Sequence, residues 1–155
     1  MRGTFVRIAL VAALGGSVLG ALPQGPAQGA TSSSLRPRHR MLVATNTSRT
    51  NHTLHRVWIN REMSSLARKH SLAMARQNTL FHTKDPGTYY LKGIKWSYWG
   101  ENVGVTPGTV RDLESAFMAS APHRANILHA SFQHVAIGAV RVDGTLWVTV
   151  FFYST

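Results

Sequence analysis

The sequence predicts an α+β domain whose middle is helical and whose end is an antiparallel strand pair. Three observations carry that reading. Apolar residues recur at helical spacing between Met63 and Met74; Thr109 and Asp112 form a helix-start signal ahead of a second such run; and beyond Phe132 the period falls to two, with Asp143-Gly144 between two strand-like stretches.

Taken in order, the chain opens with an export-type signal. Arg2 and Arg7 supply a positive flank, Ile8 to Leu22 is apolar apart from small residues, and Ala27-Gln28-Gly29 offers small side chains at a cleavage point. A membrane anchor is the competing reading, but Gly15, Gly16, Ser17 and Gly20 interrupt the run and Pro23 and Pro26 follow it. Residues 1–29 are therefore expected to be a signal peptide and 30–37 a flexible Thr/Ser-rich leader, with the folded domain at 38–155. A first helix is read from Leu42, Thr45, Asn46 and Arg49 within Met41–Thr50, followed by a loop through Asn51 and Thr53.

The second helix is expected over Arg61–Asn78, with Asn60 as its cap and Met63, Leu66, Ala67, His70 and Met74 on one face. His70 reads there as a satisfied packing or hydrogen-bonding residue rather than a ligand, and the Met side chains as core filler. From Phe81 to Gly108 periodicity is lost, so an irregular segment is expected, turning at Asp85-Pro86-Gly87. Tyr89, Tyr90, Trp96, Tyr98 and Trp99 crowd it and are read as closing the core against that loop. A third helix should run from Thr109 to Ser120 with Val110, Leu113, Phe117 and Met118 on its face; Ala121-Pro122 ends it, and His123 to Leu128 forms a further short helical turn. The strands then centre on Val135, Ile137 and Ala139 and on Leu146 to Phe152, joined by a hairpin at Asp143-Gly144.

Composition narrows the function classes. There is no cysteine, which removes disulfides, thiol catalysis and thiolate metal sites. No second apolar stretch of spanning length follows the leader, so the product is expected to be exported, soluble or loosely wall-associated, and not integral to a membrane; a monomer is expected. Without Arg2 and Arg7 the chain has 15 basic and 6 acidic residues, and 12 of the basic ones lie between Arg36 and Lys95. That skew suits polyanions such as anionic lipid headgroups or acidic wall polymer, or serves solubility alone. Specific nucleic-acid recognition is not expected, because no recognition helix or aromatic RNP-type signature accompanies the charge.

Three ionisable side chains stand at breaks in the pattern: His82 after the second helix, Glu101 in the aromatic segment, and His123 after Pro122. Ser71, Ser97 and Ser120 lack a nucleophile motif such as Gly-x-Ser-x-Gly. Spacing alone does not bring the three together.

The residues around them form an ordered set: His70-Ser71, Met74-Ala75, Leu80-Phe81-His82, Gly100-Glu101-Asn102-Val103, Ser120, Pro122-His123-Arg124, Asn126-Ile127-Leu128, Phe132 and Ile137-Gly138, preceded by Asn46 and Arg49. This set resembles the signature segments of bacterial CAP domains (cysteine-rich secretory, antigen 5 and pathogenesis-related proteins) and spans roughly Arg38 to Thr155. The resemblance implies a three-layer α-β-α sandwich with a small antiparallel sheet and a cleft holding two His and usually two Glu. It places His82 and His123 as the cleft histidines and Glu101 as the first glutamate, with Asn102 and Ser120 also at the cleft. The second glutamate has no counterpart; Ser120 stands in that segment. The implied functions are binding of an acidic or lipidic envelope component or other extracellular ligand, or divalent-metal-dependent hydrolysis of peptide or cell-wall amide bonds. For the second, His82, His123 and Glu101 would hold a cation, zinc first, with water in the open position, or form an acid–base set. Asn102, an amide inside such a segment, is expected to be partly buried and bonded to backbone.

Overall fold

The computed structural model describes residues 7–11 and 35–155, the side chains from Pro37 onward. The expected export signal and leader therefore lie outside the described residues, except for Arg7–Val11 and the stretch from Leu35.

Helix α1 (Leu35–Thr50) starts inside the expected leader, because Pro37 sits in its first turn, where a missing N–H costs nothing. Its buried stripe is Met41, Thr45, Asn46 and Arg49. Asn46 binds the extended chain that follows, accepting from Val57 N at 2.8 Å and donating to Val57 O at 3.1 Å. Helix α2 (Arg61–Gln77) begins on Asn60, whose side chain accepts from Met63 N, and ends on Asn78 in the left-handed region at φ 46°. Helix α4 (Val110–Ala119) carries the complete Thr109/Asp112 capping box, and α5 (Ala121–Ile127) follows directly with Pro122 in its first turn.

The segment expected to be irregular contains two elements. Helix α3 (Pro86–Leu91) is capped by Asp85, and strand β3 (Tyr98–Thr106) is a long member of the sheet. The sheet has the order β1-β3-β5-β4-β2. Strands β3, β5 (Thr145–Ser154) and β4 (His134–Val142) are antiparallel, while β2 (Trp58–Ile59) and β1 (Arg7–Val11) pair in parallel with β4 and β3 at the two edges. The β4–β5 hairpin turns on Asp143 and Gly144, with φ 47° and 76° as a primed turn requires.

Alternation assigns the faces. Trp99, Glu101 and Val103 of β3 share a face with Phe151 and Thr149 of β5 and with Ala136 and Gly138 of β4, and helices α2 and α3 cover it. The opposite face presents Val150, Phe152, Val135 and Ile137, and α1, α4 and α5 pack there around Met41, Leu113, Phe117 and Ile127. Helix α2 crosses Gly138 so closely that a Cβ there would lie 2.1 Å from the Ala67 carbonyl oxygen. The result is an α+β fold layered helix, sheet, helix. Among the described residues no helix is long and apolar enough to cross a membrane.

Candidate functional site

Consecutive residues on a strand point to opposite faces, and that rule organises the site. Glu101 points to the α2/α3 side. Its Oε1 accepts from His82 Nδ1 at 2.8 Å and from Thr83 N at 2.9 Å, and its Oε2 accepts from Thr83 Oγ1 at 2.5 Å. With Thr83 committed as donor, the Tyr90 hydroxyl 3.2 Å away donates to Thr83 Oγ1, and burial pushes that phenol well above its ordinary pKa. Both carboxylate oxygens are thus engaged in a cluster in which Glu101 is fully buried, Thr83 and Tyr90 are buried and His82 is half-buried. The acceptor also fixes the His82 tautomer: Nδ1 carries the proton, so Nε2 of the neutral ring keeps its lone pair. His82 Nε2 is buried and has no hydrogen-bond partner.

His70, from α2, lies on the same face. Its Nδ1 is bonded to Thr149 Oγ1 at 3.0 Å, its ring meets Phe81 edge-on, and its Nε2 also lacks a partner. Burial, the largest influence, lowers its pKa. The Thr149 bond and the Phe81 contact are the hydrogen-bonding and packing roles read from the sequence, with one ring nitrogen left over among the described residues.

Asn102 points the other way and is fully buried, donating to the His123 carbonyl at 3.0 Å and accepting from Asn126 Nδ2 at 2.8 Å. This is the amide-to-backbone arrangement expected for it. His123 is fully buried on that face, stacked on Phe117, with Nδ1 2.8 Å from Ser120 Oγ. Ser120 gives its side chain to this contact and makes no side-chain cap bond to α5.

Of the residues singled out in the sequence, the structure joins His82 with Glu101 on one face and Asn102 with His123 and Ser120 on the other. His82 contacts Glu101 on the α2/α3 side, and the His123 ring stacks on Phe117 of α4. Among the described residues no group of three or more His, Asp or Glu is placed to hold a metal ion.

A second feature escaped the sequence reading. Helices α1 and α4 enclose an open groove of about 770 Å³, lined by Val43, Ala44 and Val110, with His39, Arg40 and Arg111 along it. Glu114 sits in its wall, almost fully buried, accepting from Ser48 Oγ at 2.7 Å and Thr45 Oγ1 at 3.3 Å; burial raises its pKa against the pull of those two bonds. The signal was present in the sequence. Val110, Leu113, Glu114 and Phe117 make one helical stripe, and a carboxylate inside such a stripe marks a special environment. Of the aromatic crowd, Tyr90 and Trp99 are core, whereas Tyr89, Trp96 and Tyr98 remain partly exposed.

Residues 42–152 match the family model CAP: Cysteine-rich secretory protein family. A curated relative, the uncharacterized protein YkwD of Bacillus subtilis (strain 168), is 30% identical over 119 residues, covering 72% of this chain and 45% of the relative, so the chain spans about half that protein's length. Among solved structures, an extracellular protein containing a SCP domain from Bacillus anthracis str. Ames superposes with a TM-score of 0.70 at 21% identity, covering 85% of this chain and 45% of that one. An outer surface protein from Borrelia burgdorferi superposes with a TM-score of 0.66 at 15% identity, covering 77% of this chain and 92% of that one. At these identities the two structures speak for the fold alone.

Proposed function

The chain belongs to the CAP, cysteine-rich secretory protein family, and on that premise we propose that it is an exported binding module for an anionic amphiphile of the cell envelope. One observation carries this reading: the α1/α4 groove pairs an apolar floor of Val43, Ala44 and Val110 with cationic Arg40 and Arg111. An apolar tail would bury against the floor while a carboxylate or phosphate headgroup meets the guanidinium groups. The excess of basic residues between Arg36 and Lys95 supplies long-range attraction to an acidic surface. The export signal read at residues 1–29 and the extracellular and surface descriptions of the two bacterial structures support the location.

The test is binding of decanoate, and of vesicles with and without anionic lipid, at low and physiological salt. Decanoate should bind, vesicle retention should require the anionic lipid and weaken with salt, and Arg40→Glu with Arg111→Glu should weaken both at least tenfold. Absence of binding to either probe at low salt would dispose of the reading.

A second reading, a divalent-metal-dependent hydrolase, draws on one observation. His82 is held through Nδ1 by a carboxylate with Nε2 unpartnered, the form in which imidazoles ligate metals. It would need further donors beside His82. Stoichiometric zinc binding abolished by His82→Ala, with peptide or cell-wall amide hydrolysis lost on chelation, would support it; zinc binding unchanged in that variant would not.

A further inference from the structure

The two halves of the candidate site meet at the edge of β3, and the chain itself covers that edge. Arg7–Val11 lies parallel to β3, in register over five residues from Arg7 opposite Glu101 to Val11 opposite Val105. On its other side β3 is fully paired with β5. We propose that this edge, once freed of Arg7–Val11, is a binding site for an extended apolar peptide, which adds to the sheet in parallel along Glu101–Val105 and runs between the His82 face and the His123 face. The inference rests on the export reading above for how the segment leaves, and it concerns a different surface from the α1/α4 groove.

The chemistry of the edge selects the ligand class. A bare strand edge offers a row of backbone N–H and C=O groups at strand spacing, and only another extended backbone can pair with all of them; a lipid tail or a glycan leaves most unsatisfied. The edge is also pre-organised. Glu101 is held by His82 and Thr83, and Asn102 by the His123 carbonyl and Asn126, so the backbone at its centre is fixed by buried bonds independent of the covering strand. Alternation sets the selectivity. Peptide residues opposite Glu101 and Val103 would face the His82 side, and those opposite Asn102 and Gly104 the side of Asn126, Leu113 and Phe117. The segment seated there, Arg-Ile-Ala-Leu-Val, is the model for what fits: apolar, strand-prone, with a basic residue in register with Glu101.

The probe is a synthetic peptide of residues 5–13, with a control carrying N-methyl groups on Ile8 and Leu10. The proteins are the complete chain and its Ala9→Pro/Leu10→Pro variant, which loses the one of these two neighbouring amides that faces β3. Hydrogen exchange of the Tyr98–Thr106 amides reads the edge. In the complete chain the edge-facing amides should be protected. In the variant, with circular dichroism unchanged, they should exchange at least tenfold faster, and the added peptide should restore protection while the N-methylated one does not. Equal exchange in the two proteins, no protection by the peptide, or equal protection by the N-methylated control would overturn the proposal. The intact mass of chain recovered from the medium of a secreting host separates the two readings. Retention of residues 1–29 contradicts removal on export, whereas a shortened chain that still fails to protect β3 with peptide contradicts the strand-addition site itself.

Discussion

On the α1/α4/α5 face of the sheet, the buried Arg49 charge is answered by four carbonyls; on the α2/α3 face, two imidazoles are answered by half. Arg49 is fully buried and its guanidinium donates to the carbonyls of His55, Ile127, His129 and Phe132 at 2.8 to 3.1 Å, tying α1 to the segment that follows it, to the last residue of α5 and to the segment beyond. His70 and His82 each use Nδ1 and leave Nε2 buried without a partner. A satisfied buried cation holds elements together and is unavailable for anything else. An unsatisfied buried nitrogen costs stability, and among the described residues His129 Nδ1, beside the Arg49 cluster, is a third such atom.

The contrast breaks most visibly at Arg49. Arg49→Met removes the donor and strands four carbonyls, so we expect a loss of about 4 kcal/mol in urea unfolding, and Arg49→Lys should recover less than half of it. A loss under about 1 kcal/mol would mean that water takes over those carbonyls and that the charge is not structural.

The faces also differ in how tightly helices approach the sheet. At Gly138 an added Cβ meets backbone of α2, whereas at Gly104 it meets the Leu113 and Phe117 side chains at 2.8 Å, which can rotate or shift. Gly138→Ala should therefore cost about 3 kcal/mol and Gly104→Ala about 1 to 2 kcal/mol, both by equilibrium denaturation. The reverse order would place the rigid contact on the wrong face.

Glu101→Gln sharpens the comparison within the candidate site. An amide in place of the carboxylate presents N–H groups to His82 or Thr83, which are donors themselves, so stability should fall by about 2 kcal/mol. The His82 ring should lose its fixed tautomer, visible as a change in its imidazole 15N shifts; an unchanged 15N pattern would show that Glu101 does not hold the ring.

The smallest effect is in pH, where the faces pull in opposite directions. The pKa of Glu114 is raised by burial, so its contribution to stability is present below the unfolded value near 4.5 and is lost as pH rises through the raised folded value. The pKa of His70 is lowered, chiefly by burial, so its contribution is present above the unfolded value near 6.5 and is lost as pH falls through the lowered folded value. Glu114→Gln should flatten the fall in stability as pH rises above about 4.5, and His70→Gln the fall as pH drops below about 6.5. A profile unchanged by either substitution would show that the corresponding group does not couple folding to pH.

Local periodicity made α2, α4 and the β4–β5 hairpin legible, because each buries one face with caps and turn residues to match. It also exposed His82 and Glu101 as groups at breaks in the pattern. Strand β3 was hidden for a physical reason. Its interior residues Glu101 and Asn102 are buried through hydrogen bonds from sequence-distant partners, and Gly100 and Gly104 make room for α5 and α4, so no apolar alternation remains to be read. The burial of Arg49 and Glu114 could not be read from local spacing because, His55 apart, their partners lie 66 to 83 positions away.

The claim that the two faces have separate tasks, with an anionic amphiphile entering between α1 and α4, is tested most directly by an amide shift map of the isotope-labelled chain during titration with decanoate. Saturable shifts are expected at Val43, Ala44, Thr47, Val110 and Ser115, with Thr83, Glu101 and Val103 unmoved. Shifts concentrated at Thr83 and Glu101 with α1 and α4 silent would place the ligand at the His82 cluster and contradict that claim.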